Sequence, residues 1–283
     1  MPDDPRCRPL LLHRRAVMLG PAATLALGAP ARGEVLLRVG GTGMALAAMR
    51  QIADDFAASD PPATVKVLPS LGTGGGLAAV AAGAVDLALA VRPLNDAELA
   101  KGIRSAAYAR TPIAFVTHPD VTVPGITLEE VAAILAGRIL TWPDGKPVRL
   151  IRREPSDADW TMLRSVSPGM AAAVAIALER PGLLTVATDQ DNADALERLT
   201  GSFGAMSLGQ LRAERRRLTP LPLDGTPPSV EALAEQRYSL SRTLYIAWRD
   251  PPSAEVARFV AFLQGSQASE LLMRLGHIPL AVP

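Results

Sequence analysis

Ala63-Thr64-Val65-Lys66-Val67-Leu68-Pro69-Ser70-Leu71-Gly72-Thr73-Gly74-Gly75-Gly76-Leu77-Ala78-Ala79-Val80-Ala81-Ala82-Gly83 is the stretch that decides the fold. Its β-branched opening, Ala63 to Leu68, reads as a strand. The alanine-rich run after the glycines reads as a helix that stops at Gly83, a residue type suited to the left-handed end of a helix. A strand, a glycine loop and a helix start bring unpaired backbone N–H groups and the positive end of a helix dipole to one point, a favourable place for an anion. Thr73 adds a hydroxyl. The run closes on Leu77-Ala78, so it lacks the Lys and Ser/Thr of a P-loop. Gly41-Thr42-Gly43-Met44-Ala45-Leu46 puts a leucine where a dinucleotide fingerprint needs a small residue.

The strand–loop–helix pattern extends in both directions. Upstream, Val35 to Val39 reads as a strand, and Leu46, Met49, Ile52, Ala53 and Phe56 form the buried stripe of a helix. Downstream, Val85 to Val91 and Pro112 to Val116 read as strands, and Asn95 with Glu98 and Thr127 with Glu130 read as helix capping boxes. Strands at Val148 to Arg152, Phe203 to Ser207 and Thr243 to Trp248 alternate with helices to the end of the chain. The alternation predicts an α/β fold with a largely parallel sheet in each half.

Composition narrows the function. The 283 residues carry a formal net charge of +1 and are 48% apolar, enough for one large core or two smaller ones. A near-neutral chain argues against nucleic-acid binding; Arg215-Arg216-Arg217 reads as a solvated face. Arg6, Arg8, Arg14 and Arg15 precede the apolar run Ala16 to Gly28 and the A-x-A site Ala29-Pro30-Ala31, an export signal over residues 1–31 with a twin-arginine pair. The mature protein is therefore expected in the periplasm. Cys7, the single cysteine, lies within that signal, so no thiol or disulfide chemistry is expected of the mature chain. His118 and His277 lack a second ligand at metal spacing, and no cofactor motif or G-x-S-x-G elbow is present. Trp142 and Trp160 read as packing residues.

Taken in order, Ser70 to Gly76, Gly83-Ala84-Val85-Asp86-Leu87-Ala88, Arg92-Pro93-Leu94, Thr127 to Trp142, Asp224-Gly225, Tyr238 to Tyr245 and Gly276 to Leu280 resemble the phosphate-binding proteins of ABC importers, of the type II periplasmic binding protein fold. The resemblance implies two α/β lobes with a ligand cleft between them: residues 34–111 plus 243–283, and residues 112–242. It implies a monomeric, non-enzymatic carrier without cofactor or metal, which captures a small oxyanion such as phosphate and delivers it to a membrane permease.

Carried over residue by residue, the resemblance places ligand contacts at Thr42 and Gly43, Thr73 and Gly74, Arg152 and Ser156. Where the family has a Ser-Asp pair whose carboxylate accepts the proton of phosphate, this chain has Ala90-Val91, with Arg92 next. Arg92 either restores attraction for the ligand or pairs with Asp96. Asp157-Ala158 replaces a Gly-Thr pair. Asp157 and Asp159 are expected to point to solvent as first-turn acids, because they would repel a dianion from inside the cleft. An alternative keeps the fold and changes the role: a sensor or protein-interaction partner that no longer binds phosphate.

Overall fold

The computed structural model describes residues 35–59 and 63–280. The expected export signal, with its arginine pair and Cys7, lies outside the described residues. Among these, no helix is long and apolar enough to cross a membrane.

The chain runs β1 (Val35–Gly41), α1 (Gly43–Ser59), β2 (Ala63–Val67), α2 (Gly72–Ala81), β3 (Leu87–Ala90), α3 (Asp96–Leu99) and then the 15-residue β4 (Ile103–Thr117). The middle section holds α4 (Leu128–Leu135), β5 (Arg149–Leu150), β6 (Arg152–Arg153), α5 (Ala158–Arg164), α6 (Pro168–Glu179), β7 (Thr185–Val186) and α7 (Asp189–Arg198). It continues with β8 (Ser202–Ser207), α8 (Leu208–Ala213), β9 (Thr219–Pro220) and α9 (Val230–Ala234). The chain returns along β10 (Ser241–Arg249) and finishes with α10 (Ala254–Leu263), α11 (Ser266–Arg274) and β11 (Ile278–Pro279).

The main sheet has the order β2-β1-β3-β10-β4-β8-β5. Its pairing is mixed, which corrects the largely parallel sheets expected. Among its described strands, parallel pairing is found in β2–β1–β3 and β5–β8, while β6 and β7 form a separate two-stranded parallel sheet. The two long strands β4 and β10 pair antiparallel with each other and with their neighbours, because one carries the chain from the first half to the second and the other brings it back.

Apolar side chains separate into cores on either side of Pro112. Leu37, Val39, Leu46, Phe56, Leu87, Leu89, Leu244, Ile246 and Phe259 pack in one, where Phe56 and Phe259 meet edge-to-face at 5.1 Å. Ile113, Phe115, Trp142, Trp160, Leu163 and Phe203 pack in the other. Burying each such side chain stabilises the fold by roughly 1.5–3 kcal/mol. The two-residue period of strands makes this possible on both faces. In β3, Leu87 and Leu89 enter the first core while Ala88 and Ala90 face a smaller cluster under α2 with Leu77 and Val80. Both tryptophans are packing residues whose indole N–H groups donate to carbonyls, Trp142 to Gly201 at 3.0 Å and Trp160 to Glu154 at 3.0 Å.

Candidate functional site

The C-terminal ends of β1, β2 and β3 share one edge of the sheet, the place where open α/β sheets receive ligands. At the end of β1, Gly41 has φ +132, and a Cβ there would lie 2.1 Å from the Leu89 carbonyl oxygen. Only glycine lets β1 pass β3 that closely. The Thr42 N–H donates to the Leu89 carbonyl at 2.9 Å and the Leu71 N–H to the Gly41 carbonyl at 3.0 Å, so the first glycine loop and the start of α2 are tied side by side. Gly76 permits the same approach from α2, since a Cβ on it would sit 2.7 Å from Gly41 Cα.

The first-turn N–H groups of α2 have no partner within the helix, and Leu71, its N-cap residue, supplies no side-chain cap. Helices α3 to α10 are all capped by Ser, Thr, Asp or Asn. The Thr73 hydroxyl oxygen accepts the Val91 N–H at 3.2 Å, which leaves its proton free to donate.

Facing α2 across a cleft of about 680 Å³ are the end of β6, the start of α5 and the start of α7. Thr42, Thr73, Gly74, Arg92 and Ser156 line this cleft, as do Arg153, Asp157, Asp159, Thr188 and Asp189. The structure thus brings together five of the seven residues proposed as ligand contacts.

The other two lie elsewhere. Arg152 is turned away, a correction to its expected place at the ligand. Its guanidinium donates to Thr185 Oγ1 at 2.8 Å and to the Leu178 and Arg180 carbonyls at 2.9 and 2.8 Å, at the C-terminal end of α6. Successive strand residues point to opposite sides, so Arg153 takes the cleft side instead. Gly43 faces α7 rather than the cleft: a Cβ there would lie 2.5 Å from Gln190 Oε1 and 2.7 Å from Asp189 Oδ2.

Arg153 is buried, and its guanidinium is committed to the protein. Nε and Nη2 donate to Asp157 Oδ2 at 3.0 and 2.6 Å, Nη2 also donates to Asp189 Oδ1 at 3.0 Å, and Nη1 donates to the Thr188 carbonyl. Burial opposes its charge, but Asp189 and Asp157 outweigh burial and raise its pKa. Asp157 does cap α5, accepting the Asp159 N–H at 2.8 Å, yet its second oxygen faces Arg153 and not solvent. Asp159 is 6% exposed and accepts Arg242 Nη2 at 3.2 Å. The expectation that both acids point to solvent is overturned, because each finds a guanidinium inside. Burial pushes the Asp159 carboxyl up to about 6, with Asp157 adding to the shift and Arg242 opposing it. Burial also raises Asp189, against the pull of Arg153.

Arg92 does not pair with Asp96. It grips Glu98 with both terminal nitrogens, at 2.8 and 2.7 Å, and Glu98 also accepts the Asn95 N–H in the α3 capping box. That hydrogen bond to Arg92 lowers the Glu98 carboxyl against the cost of burial. Three carboxylates, Asp157, Asp159 and Asp189, therefore face two guanidinium groups, those of Arg153 and Arg242. One wall offers donors to an anion, and the other is already filled by ion pairs.

Sequence reasoning missed Arg153, Asp189 and Arg242. A signal existed for the first, since Arg153 and Asp157 stand four residues apart at a helix start. Asp189 reaches the cleft, and Arg242 reaches Asp159, only through tertiary packing.

The profile of the PBP superfamily domain matches residues 26–267. The phosphate-binding protein PstS of Borreliella burgdorferi is 22% identical over 204 residues, which cover 68% of this chain and 71% of that protein. Among solved structures, a Clostridium perfringens protein described as a phosphate ABC transporter substrate-binding protein, with phosphate bound, superposes with a TM-score of 0.74 at 16% identity. The alignment covers 87% of this chain and 99% of that one. An ABC-type phosphate transport receptor from Vibrio cholerae gives a TM-score of 0.59 at 21% identity, over 86% and 99% of the two chains.

Proposed function

The chain belongs to the PBP superfamily, and on that premise we propose that it is an exported solute-binding protein that captures a small oxyanion, phosphate foremost, for an ABC importer. The observation that carries this reading is the start of α2. Its N-cap residue Leu71 offers no capping side chain, the only side-chain acceptor there among the described residues being Ser70 Oγ at a long 3.4 Å from the Gly72 N–H, and Thr73 and Gly74 stand on the cleft wall. Such a helix start stabilises an anion through both its N–H groups and its dipole. The Borreliella, Clostridium and Vibrio proteins, all described as phosphate binders or transport receptors, support the choice of ligand. The export signal over residues 1–31 agrees with delivery to a membrane permease. The lobes would close on the ligand, and the permease would read the closed form.

A second reading has its own observation. The cleft wall opposite α2 carries three carboxylates, Asp157, Asp159 and Asp189, paired with Arg153 and Arg242, while Arg92 is held by Glu98, and Val91 stands where the resemblance requires a proton-accepting acid. A protein on the same fold that binds another solute or a protein partner accommodates these acids. A thermal-shift screen against phosphate, sulfate, molybdate, phosphonates and carboxylates separates the two. A ligand at a hundred times its Kd adds about 2.7 kcal/mol of stability. A rise in Tm with phosphate supports the carrier; no rise with any tetrahedral oxyanion leaves the second reading.

A further inference from the structure

We propose that Asp189 is a tethered carboxylate that competes with the ligand, holding the backbone donor of the first glycine loop and the cleft's guanidinium until an incoming oxyanion displaces it. The proposal rests on the oxyanion-carrier reading and adds how that same site is regulated.

The geometry is specific. Helix α1 has 17 residues and no acidic residue in its own first turn. The carboxylate at its N-terminus comes from 145 residues away, Asp189 Oδ2 accepting the Met44 N–H at 2.8 Å. The other oxygen, Oδ1, accepts Arg153 Nη2 at 3.0 Å. Beside it, Gln190 Nε2 donates to the Gly43 carbonyl at 3.0 Å, so two consecutive side chains of α7 clasp the first turn of α1. Glycine at position 43 gives them the room.

Asp189 is not needed to cap its own helix. Thr188 does that, its Oγ1 accepting the Asp191 N–H at 3.0 Å. The Asp189 carboxylate instead makes the two contacts that a bound anion would make at this end of the cleft: a helix-start N–H and an arginine. Carboxylate and ligand cannot hold the same donors together. The apparent affinity for ligand is then the intrinsic affinity reduced by the fraction of molecules in which Asp189 has let go.

The experiment is calorimetric titration of the purified protein with phosphate and with sulfate, in wild type, Asp189→Asn and Gly43→Ala. Asp189→Asn keeps the shape and removes the charge. Gly43→Ala leaves Asp189 intact and drives a methyl group into the clasp. Both are expected to bind at least about tenfold tighter than wild type. A carboxylate with a merely structural role would instead lose stability and affinity together. Wild-type binding with equal or weaker binding in both variants overturns the proposal and leaves the carrier reading standing. If Asp189→Asn does not fold, Gly43→Ala decides alone: affinity equal to or below wild type overturns the proposal. Absence of binding in every protein removes the carrier reading and this inference with it.

Discussion

Thr73 shows how much one side chain is asked to do. Its hydroxyl oxygen accepts the Val91 N–H at 3.2 Å while its proton remains free to donate, the contact that the proposed carrier role assigns to it. Thr73→Val keeps the shape and removes both functions. A hydrogen bond to a charged group contributes about 1.5–3 kcal/mol, so affinity for phosphate is expected to fall roughly 10- to 100-fold in a titration. Thr73→Ser should restore most of it. An affinity unchanged by Thr73→Val would remove the start of α2 from the site. His277 is the other residue whose surroundings dictate a measurable property. It is buried on Gly209, where burial, reinforced by Arg212, lowers its imidazole to about 4. The native state keeps this ring neutral while the unfolded chain protonates near 6.5. Stability from His277 is therefore complete above about pH 6.5 and is lost as pH falls toward 4. Asp159 has the opposite sign. Raised to about 6, it takes up its proton in the native state before the unfolded chain does, which stabilises the fold as pH falls. Between pH 7 and pH 5 the histidine alone removes about 2 kcal/mol and the aspartate returns about 1. Urea unfolding at the two pH values should show a smaller acid loss in His277→Gln than in wild type and a larger one in Asp159→Asn. The reverse order would contradict both burial arguments.

At the scale of elements, what could be read in the sequence was what is fixed locally. The capping boxes at Asn95/Glu98 and Thr127/Glu130 form as their spacing predicts, and Gly83 and Gly137 end their helices at positive φ. The glycine run departs from its reading by one step: Gly72 to Gly76, expected as a loop before the helix, form the opening turns of α2 itself. Failures occur where a neighbour decides. Ile103 to Thr111 has few β-branched residues and no clear alternation, yet it forms the first part of β4 because β10 and β11 pair with it. Helix α8 is short and follows β8 without a break, with Ser207 ending the strand and capping the helix. In the cleft lining the same division holds: Thr73, Gly74 and Ser156 stand on its walls as the sequence led one to expect, whereas a one-residue strand phase puts Arg153 there and turns Arg152 away. Not all loop glycines carry equal weight. Gly41 needs both its φ of +132 and the absence of a Cβ, which would overlap the Leu89 carbonyl at 2.1 Å. Gly72 has φ +65 with nothing within 4 Å of its missing Cβ. Gly72→Ala should then cost only the strain of a left-handed residue, about 1–2 kcal/mol. Gly41→Ala should exceed it by several-fold or prevent folding. Denaturant melts of the two variants test this; equal costs would mean the edge of β1 gives way more easily than its packing implies.

For the whole molecule the decisive feature is that two cores share their strands. β4 carries Tyr108 and Ala109 in the first core and Ile113 and Phe115 in the second, and β10 runs beside it from Ser241. The halves are also joined by contacts other than strand pairing. Gly209, at the start of α8, lies so close to His277 that a Cβ would fall 2.1 Å from the ring, and the Gly209 N–H donates to Thr111 Oγ1 at 3.0 Å. Thr111 Oγ1 in turn donates to the Gly276 carbonyl at 3.0 Å. Unfolding either core strips β4 of one set of partners and exposes the apolar residues next to the other. The free energy of leaving one half folded alone is therefore unfavourable, and scanning calorimetry should show one transition whose calorimetric and van't Hoff enthalpies agree. Gly209→Ala tests the second junction. Overpacking of this kind costs about 1–3 kcal/mol, and because the junction links the halves the loss should appear as a lower Tm of the same single transition. If the variant instead splits the transition in two, α8 and His277 hold the halves in register, and the shared strands do not suffice. If wild type already melts in two steps, the halves are independent folding units joined by β4 and β10, and the coupling between them arises at the cleft, where Asp189 reaches α1.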